Sequence, residues 1–201
     1  MLRYAITDRA SLPGDESERR LALFAQVRRW AMEQIDYIQL REKELVAGEL
    51  ESLSRAITGI LAAAGSRTKL LVNSRPDVAI AAGAQGVHLT ASPGGMTPAQ
   101  VCVLYASAGL PEPVVSVSCH AVEEVMSARE QRASLILFAP VFGKSAGGAE
   151  IVPAAGLEML RAACRAAGKI PVLALGGVTE ANASDCIAAG AAGVAGIRLF
   201  T

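Results

Sequence analysis

Three stretches of this 201-residue chain set chemically capable side chains at spacings that matter. The first is "YIQLREK" (37–43), with Gln39, Arg41 and Lys43 at every second position and Ile38 and Leu40 between them. A strand turns alternate side chains to opposite faces, so an amide and two cations share one face. That face suits a polar or anionic ligand; the other reading is a solvated strand end paired with Glu42 and Glu44. The second stretch is "SVSCH" (116–120). If the strand continues that far, Ser118 and His120 share a face, with Cys119 turned away. Imidazole both gives and takes a proton near neutral pH, which makes His120 a general acid/base candidate. The other reading is a histidine capping the helix that opens at Ala121. The third is "LALGGVTEAN" (173–182): a strand, a glycine pair, then a helix start. Gly176 and Gly177 would let backbone N–H groups approach an anion, helped by the helix terminus. A tight turn without a ligand is the alternative.

Further polar residues sit where other apolar runs end. "VNSRPD" (72–77) supplies Asn73, Ser74 and Arg75. His88 has only Leu89 beyond it on its run and reads as structural. Lys144, in the Gly-rich "FGKSAGG" (142–148), is an anion clamp on a mobile lid or a solvated loop lysine. Gly196 and Arg198, near the end, face the same choice between a phosphate and solvent.

The elements that must position these groups are eight short apolar runs alternating with Ala-rich helical stretches. The runs are "YAIT" (4–7), "YIQL" (37–40), "KLLV" (69–72), "GVHL" (86–89), "PVVSV" (113–117), "LILF" (135–138), "PVLAL" (171–175) and "GVAGI" (193–197). Several lack polar alternation, as parallel strands covered on both faces do. Eight such units predict a single-domain (β/α)₈ TIM barrel over residues 1–201, with a doubly wound open sheet as the alternative. The last outer helix is short or missing, because the chain stops soon after the eighth run. That would leave an apolar patch for a partner subunit, so a homodimer is expected. "AAGAQGV" (81–87) and "AAGAAGV" (188–194) echo each other four units apart, as half-barrel duplication would place them. The bland account is two glycine-ended helices leading into strands.

Composition narrows the function. Apolar residues make up 52% and charged residues 19%, with formal net charge +0, which suits a folded core and argues against nucleic acid as a partner. No run is long enough for a membrane span or a signal peptide, so a cytoplasmic location is expected. Cys102, Cys119, Cys164 and Cys186 form no CxxC pair, which argues against structural zinc.

Taken in order, "YAITDR", "IQLREK", "LLVNSRPDVA", "GVHL", "VSVSCHAVEEV", "LFAPVF", "IPVLALGGVTEAN" and "GAAGVAGI" resemble the thiamine phosphate synthase and TenI superfamily over nearly the whole chain. The resemblance implies a barrel that binds phosphorylated thiazole or thiamine compounds. It implies that Gln39, Arg41 and Lys43 line the substrate pocket. In the synthase branch, Asn73, Ser118 and Lys144 would handle the pyrimidine or its diphosphate, and Gly176 and Gly177 the thiazole phosphate. The chain departs from the synthase pattern at two magnesium carboxylates, where it has Ser74 and Pro93. It also departs in the loop "GKSAGGAE" (143–150). Magnesium asks for hard anionic oxygens, so no cofactor or metal is expected unless the chain is a synthase. The pattern therefore resembles the TenI branch, thiazole tautomerases in which a histidine matching His120 moves the proton. Gln39, Arg41 and Lys43 would position the substrate; Gly176, Gly177, Gly196 and Arg198 would hold the phosphate. The alternatives are a divergent thiamine phosphate synthase and a non-catalytic regulatory barrel.

Overall fold

The structure, a computed structural model, describes residues 1–92, 94–146 and 149–200, with side chains described outside 144–152. Eight parallel strands close into a barrel. In chain order they are β1 (Leu2–Ile6), β2 (Tyr37–Leu40), β3 (Lys69–Asn73), β4 (Gly86–Thr90), β5 (Val114–Cys119), β6 (Leu135–Phe138), β9 (Val172–Ala174) and β10 (Gly193–Gly196). Between β6 and β9 an antiparallel hairpin is inserted, β7 (Lys144–Ala146) and β8 (Ala149–Val152). β1 pairs with both β2 and β10, so the sheet is closed rather than open.

The outer layer is α1 (Glu16–Met32), α2 (Ala47–Ala63), α3 (Pro76–Ala81), α4 (Pro98–Ser107), α5 (Val122–Glu130), α6 (Gly156–Ala167) and α7 (Ala183–Ala188). Capping chemistry starts two of them. Asp15 and Glu18 form a reciprocal capping box at α1, and Thr97 and Gln100 form another at α4, where Pro98 occupies the first turn. Among the described residues no helix follows β10. The segment after it folds back on α1 instead, where the Trp30 indole N–H and Arg29 both donate to the Phe200 carbonyl, at 2.7 and 3.1 Å. Leu199 and Phe200 thereby cover part of the apolar surface that a final helix would cover.

Two apolar regions hold the barrel. The larger lies between sheet and helices, where Leu23, Val27 and Trp30 meet Ile38, Leu40 and Val72. The smaller fills the barrel interior with Tyr4, Ile6, Leu71, Leu135, Leu137 and Leu173. All strands run one way, so every βα loop opens at one rim.

The echoed motifs now have a packing reason. A Cβ on Gly86 would lie 1.9 Å from the Val114 carbonyl oxygen, and one on Gly193 would lie 2.0 Å from that of Leu2. Each glycine enters its strand where the neighbouring backbone leaves no room for a side chain. Gly86→Ala and Gly193→Ala are each expected to cost about 3 kcal/mol, at the upper end of overpacking costs, as read by chemical denaturation. Gly59→Ala, on α2 with open space around it, should be neutral or stabilising.

Candidate active site

Side-chain contacts join the rim one strand to the next. At β1 and β2, Thr7 Oγ1 donates to Glu42 at 2.5 Å and accepts from the Arg41 backbone N–H at 3.0 Å. The β2 strand ends at Leu40, so Arg41 and Lys43 do not continue its alternation: Arg41 is half-buried beyond the strand and Lys43 lies exposed in a turn. Glu42 and Glu44 do not pair with them. They pair with Arg9, which is itself buried: Arg9 Nη2 reaches Glu44 at 2.6 Å, Arg9 Nε lies 3.7 Å from Glu42, and Nη1 bonds Glu16. The Arg9 backbone N–H also donates to both Glu42 oxygens at 3.2 Å. The carboxylates of this turn are therefore committed to Arg9.

Between β2 and β3, Gln39 Nε2 donates to Asn73 Oδ1 at 2.9 Å. Gln39 is buried, and among the described residues its Oε1 has no partner. Of the pair, Asn73 is half-buried, and its Nδ2 is the group left to donate towards the rim. The next residue, Ser74, takes a left-handed φ of 55° while its N–H donates to the His88 carbonyl at 2.8 Å. Arg75 is held by Asp77 through two bonds of 2.9 and 2.6 Å.

Between β4 and β5, His88 is buried with both nitrogens engaged. Nδ1 lies 2.8 Å from Ser116 Oγ and Nε2 lies 2.9 Å from Ser118 Oγ. Burial first, then the charge of Arg41, holds its pKa down at about 3. The imidazole is thus neutral at the working pH of the cell. Beneath it, Ser116 belongs to the polar "SVSCH" stretch, whereas the Tyr4 hydroxyl that meets Ser116 comes from a run that reads as plain apolar strand.

His120 follows directly after β5 and is exposed. It does not cap α5, whose N-cap is Ala121; instead Glu124 accepts from the His120 backbone N–H at 2.6 Å. The ring is held by a 2.6 Å contact between Nδ1 and the Ala139 carbonyl. A carbonyl can only accept, so Nδ1 carries the proton and Nε2 is the nitrogen left to take one from a ligand. The segment after Ala139 leads straight to the glycine pair. Gly176 (φ 90°) and Gly177 (φ 64°) are both left-handed, and a Cβ on them would lie 2.7 Å from Pro140 and from Phe142. Val141 and Phe142 N–H groups bond the Leu175 and Gly176 carbonyls at 2.9 and 3.0 Å. Among the described residues the Gly177 and Val178 amides donate to no protein acceptor. The predicted helix start is not at this turn. Asn182 closes it, accepting from Thr179 N–H and donating to the Gly177 carbonyl, and α7 begins only at Ala183. An anion here would be held by amides of the turn rather than by a helix terminus.

Gly196 ends β10, where a Cβ would press on Leu199 at 2.8 Å, and Arg198 is exposed beyond it. The backbone of Lys144 lies in β7; its side chain, like all of Pro93, lies outside the described residues. A magnesium ion of the synthase kind does not fit the residues present. Ser74 offers a hydroxyl, Asp77 is bound to Arg75, and among the described residues no three His, Cys, Asp or Glu side chains gather.

A family model described as thiamine monophosphate synthase matches residues 3–200. A protein of Geobacter sulfurreducens named "Putative thiamine-phosphate synthase" is 40% identical over 192 residues, 96% of this chain and 83% of the relative. A thiamine-phosphate synthase of Moorella thermoacetica is 40% identical over 157 residues, 78% of this chain and 70% of its own. Among solved structures, the thiamine phosphate pyrophosphorylase of Pyrococcus furiosus superposes with a TM-score of 0.77 at 26% identity, covering 98% of this chain and 85% of that one.

Two measurements check the supports of this site. Glu42→Ala strands the buried Arg9 with only exposed carboxylates, so it should lower unfolding stability by about 3 kcal/mol, whereas Lys43→Ala should cost under about 0.5 kcal/mol. His88 binds no proton in the folded chain until far below the ordinary value of 6.5, but the unfolded chain does. The unfolded state then holds more protons, so stability falls with falling pH. About 2 kcal/mol should be lost from this residue between pH 8 and pH 5, and His88→Gln should remove that part of the slope.

Proposed function

This chain belongs to the thiamine monophosphate synthase family, and from that premise we propose that it is an enzyme of thiamine biosynthesis whose barrel mouth takes a thiazole phosphate. The observation that carries the proposal is the adjacency of two groups across one short segment. His120 is bonded to Ala139, and the next residue, Pro140, packs on Gly176 of the turn with open amides. Phosphate on the Gly177 and Val178 amides would bring the thiazole ring to the imidazole. Arg41 and Lys43 would meet the substrate's carboxylate or the second reactant's phosphates.

The names of the relatives support condensation of the thiazole phosphate with a hydroxymethylpyrimidine diphosphate more than they support a proton shift. That reverses the order in which the motifs alone rank the two reactions. For the condensation, the leaving diphosphate would be met by the cations of the 41–43 turn, and by Lys144. Asn73, held by Gln39, would read the pyrimidine through its Nδ2 donor. The chain has Ser74 and Pro93 where the synthase pattern carries its magnesium carboxylates.

A second reading, tautomerisation of the thiazole phosphate, is favoured by the fixed ring of His120. With Nδ1 held on a carbonyl, Nε2 takes a proton from one ring position and can return it to another, so the pair of transfers needs neither metal nor co-reactant. A single assay separates the readings: purified protein with thiazole phosphate, with and without the pyrimidine diphosphate and magnesium, followed by product analysis. Thiamine phosphate as the product supports condensation, and a rearranged thiazole without the pyrimidine supports the proton shift. Binding without either product marks a non-catalytic barrel. If the proton shift is the reaction, His120→Ala should lower kcat by about 10²–10⁴-fold with little change in affinity.

A further inference from the structure

Beneath the mouth, a column of polar side chains crosses the barrel interior from β1 to β5. Tyr4 Oη lies 3.0 Å from Ser116 Oγ and 3.4 Å from His88 Nδ1, and Ser116 Oγ lies 2.8 Å from the same Nδ1. On the other side of the ring, His88 Nε2 lies 2.9 Å from Ser118 Oγ. Tyr4, Ser116 and His88 are all buried, while Ser118 is partly exposed at the rim.

The direction of these bonds follows from counting hydrogens. Tyr4 and Ser116 each carry one hydroxyl hydrogen, and among the described residues their only side-chain partners are each other and Nδ1. If Nδ1 were protonated too, it could accept from neither hydroxyl, and the Tyr4–Ser116 contact carries only one hydrogen, so one of the two buried hydroxyl hydrogens would go unmet. Leaving such a donor unmet is disfavoured, so Nδ1 must be the bare, accepting nitrogen. The ring is neutral, because burial and Arg41 hold off a second proton. Its one hydrogen is therefore on Nε2 and points to Ser118 Oγ. Ser118 accepts that bond, and its own hydrogen is left to the mouth.

We propose that Ser116 and His88, with Tyr4 bonded to Ser116, are positioning residues that free the Ser118 hydroxyl hydrogen for the ligand. Ser118 then donates to an acceptor atom: a phosphate or carboxylate oxygen, or the lone pair of a ring nitrogen. The control is exerted from inside the barrel, from side chains beneath the rim. The ligand half of this proposal rests on the mouth being the substrate site; the tautomer half does not.

The test is nitrogen NMR of the full chain labelled on its two histidines, His88 and His120, with His120→Ala used to assign them. The wild type should show His88 with a protonated Nε2 and a bare Nδ1. Ser118→Ala should leave that pattern unchanged, because it is set from within. Tyr4→Phe removes one hydrogen and one acceptor together and leaves Nδ1 as the only acceptor for the Ser116 hydrogen, so the same tautomer should be kept. A protonated Nδ1 in the wild type, or a tautomer that switches in Ser118→Ala or in Tyr4→Phe, would each overturn the assignment. Calorimetric titration with thiazole phosphate reads the ligand half. Ser118→Ala should weaken binding by about 10–100-fold, as expected for loss of a donor to a charged oxygen, whereas Tyr4→Phe, which keeps the tautomer, should bind within a few fold of wild type. Unchanged affinity in Ser118→Ala overturns the donor role. Absence of wild-type binding overturns the thiazole reading and leaves the NMR result standing by itself.

Discussion

The rim of this barrel depends on one short segment, Ala139 to Phe142, wedged between β5 and β9. Its first carbonyl takes the His120 ring at 2.6 Å, and its Pro140 and Phe142 fill the space that side chains at positions 176 and 177 would need. The same segment therefore fixes the imidazole and demands the two glycines. This is why His120, just past β5, and the amide-bearing turn after β9 flank one segment, although 56 positions separate His120 from Gly176 in the sequence. Parallel strands carry their C-terminal ends to one rim, and the contacts between neighbouring loops then decide which groups meet there.

A second constraint works beneath the first. A barrel interior is dry, so each polar group placed in it needs a partner. The Gln39–Asn73 pair and the Tyr4–Ser116–His88–Ser118 column satisfy most of theirs internally, with Asn73 and Ser118 partly exposed. On the outer side of the β1 and β2 loops, Arg9 collects the carboxylates of Glu42 and Glu44. That arrangement commits the acids of the "LREKE" turn to the scaffold.

Much of this was legible in the sequence. The eight apolar runs mark the barrel strands to within a residue or two, because buried parallel strands need no polar alternation. The glycine pair, His120 and the Gln39–Asn73 neighbourhood were visible from residue type and position alone. Other features were not, because they rest on contacts far apart in the chain. Nothing local shows that Glu42 answers to Arg9, 33 positions away, or that β2 stops at Leu40 and leaves Lys43 in a turn. Tyr4 reads as one more apolar strand residue until its hydroxyl is seen facing Ser116. The helix expected directly after the glycines starts six residues later, because Asn182 spends its side chain on closing the turn.

The account is tested most directly by a crystal structure of the protein with thiazole phosphate bound. It predicts phosphate oxygens within about 3 Å of the Gly177 and Val178 amides, and a thiazole ring atom within about 3.5 Å of His120 Nε2. Phosphate bound away from that turn, or an imidazole that leaves Ala139 and swings out of the mouth, would contradict it.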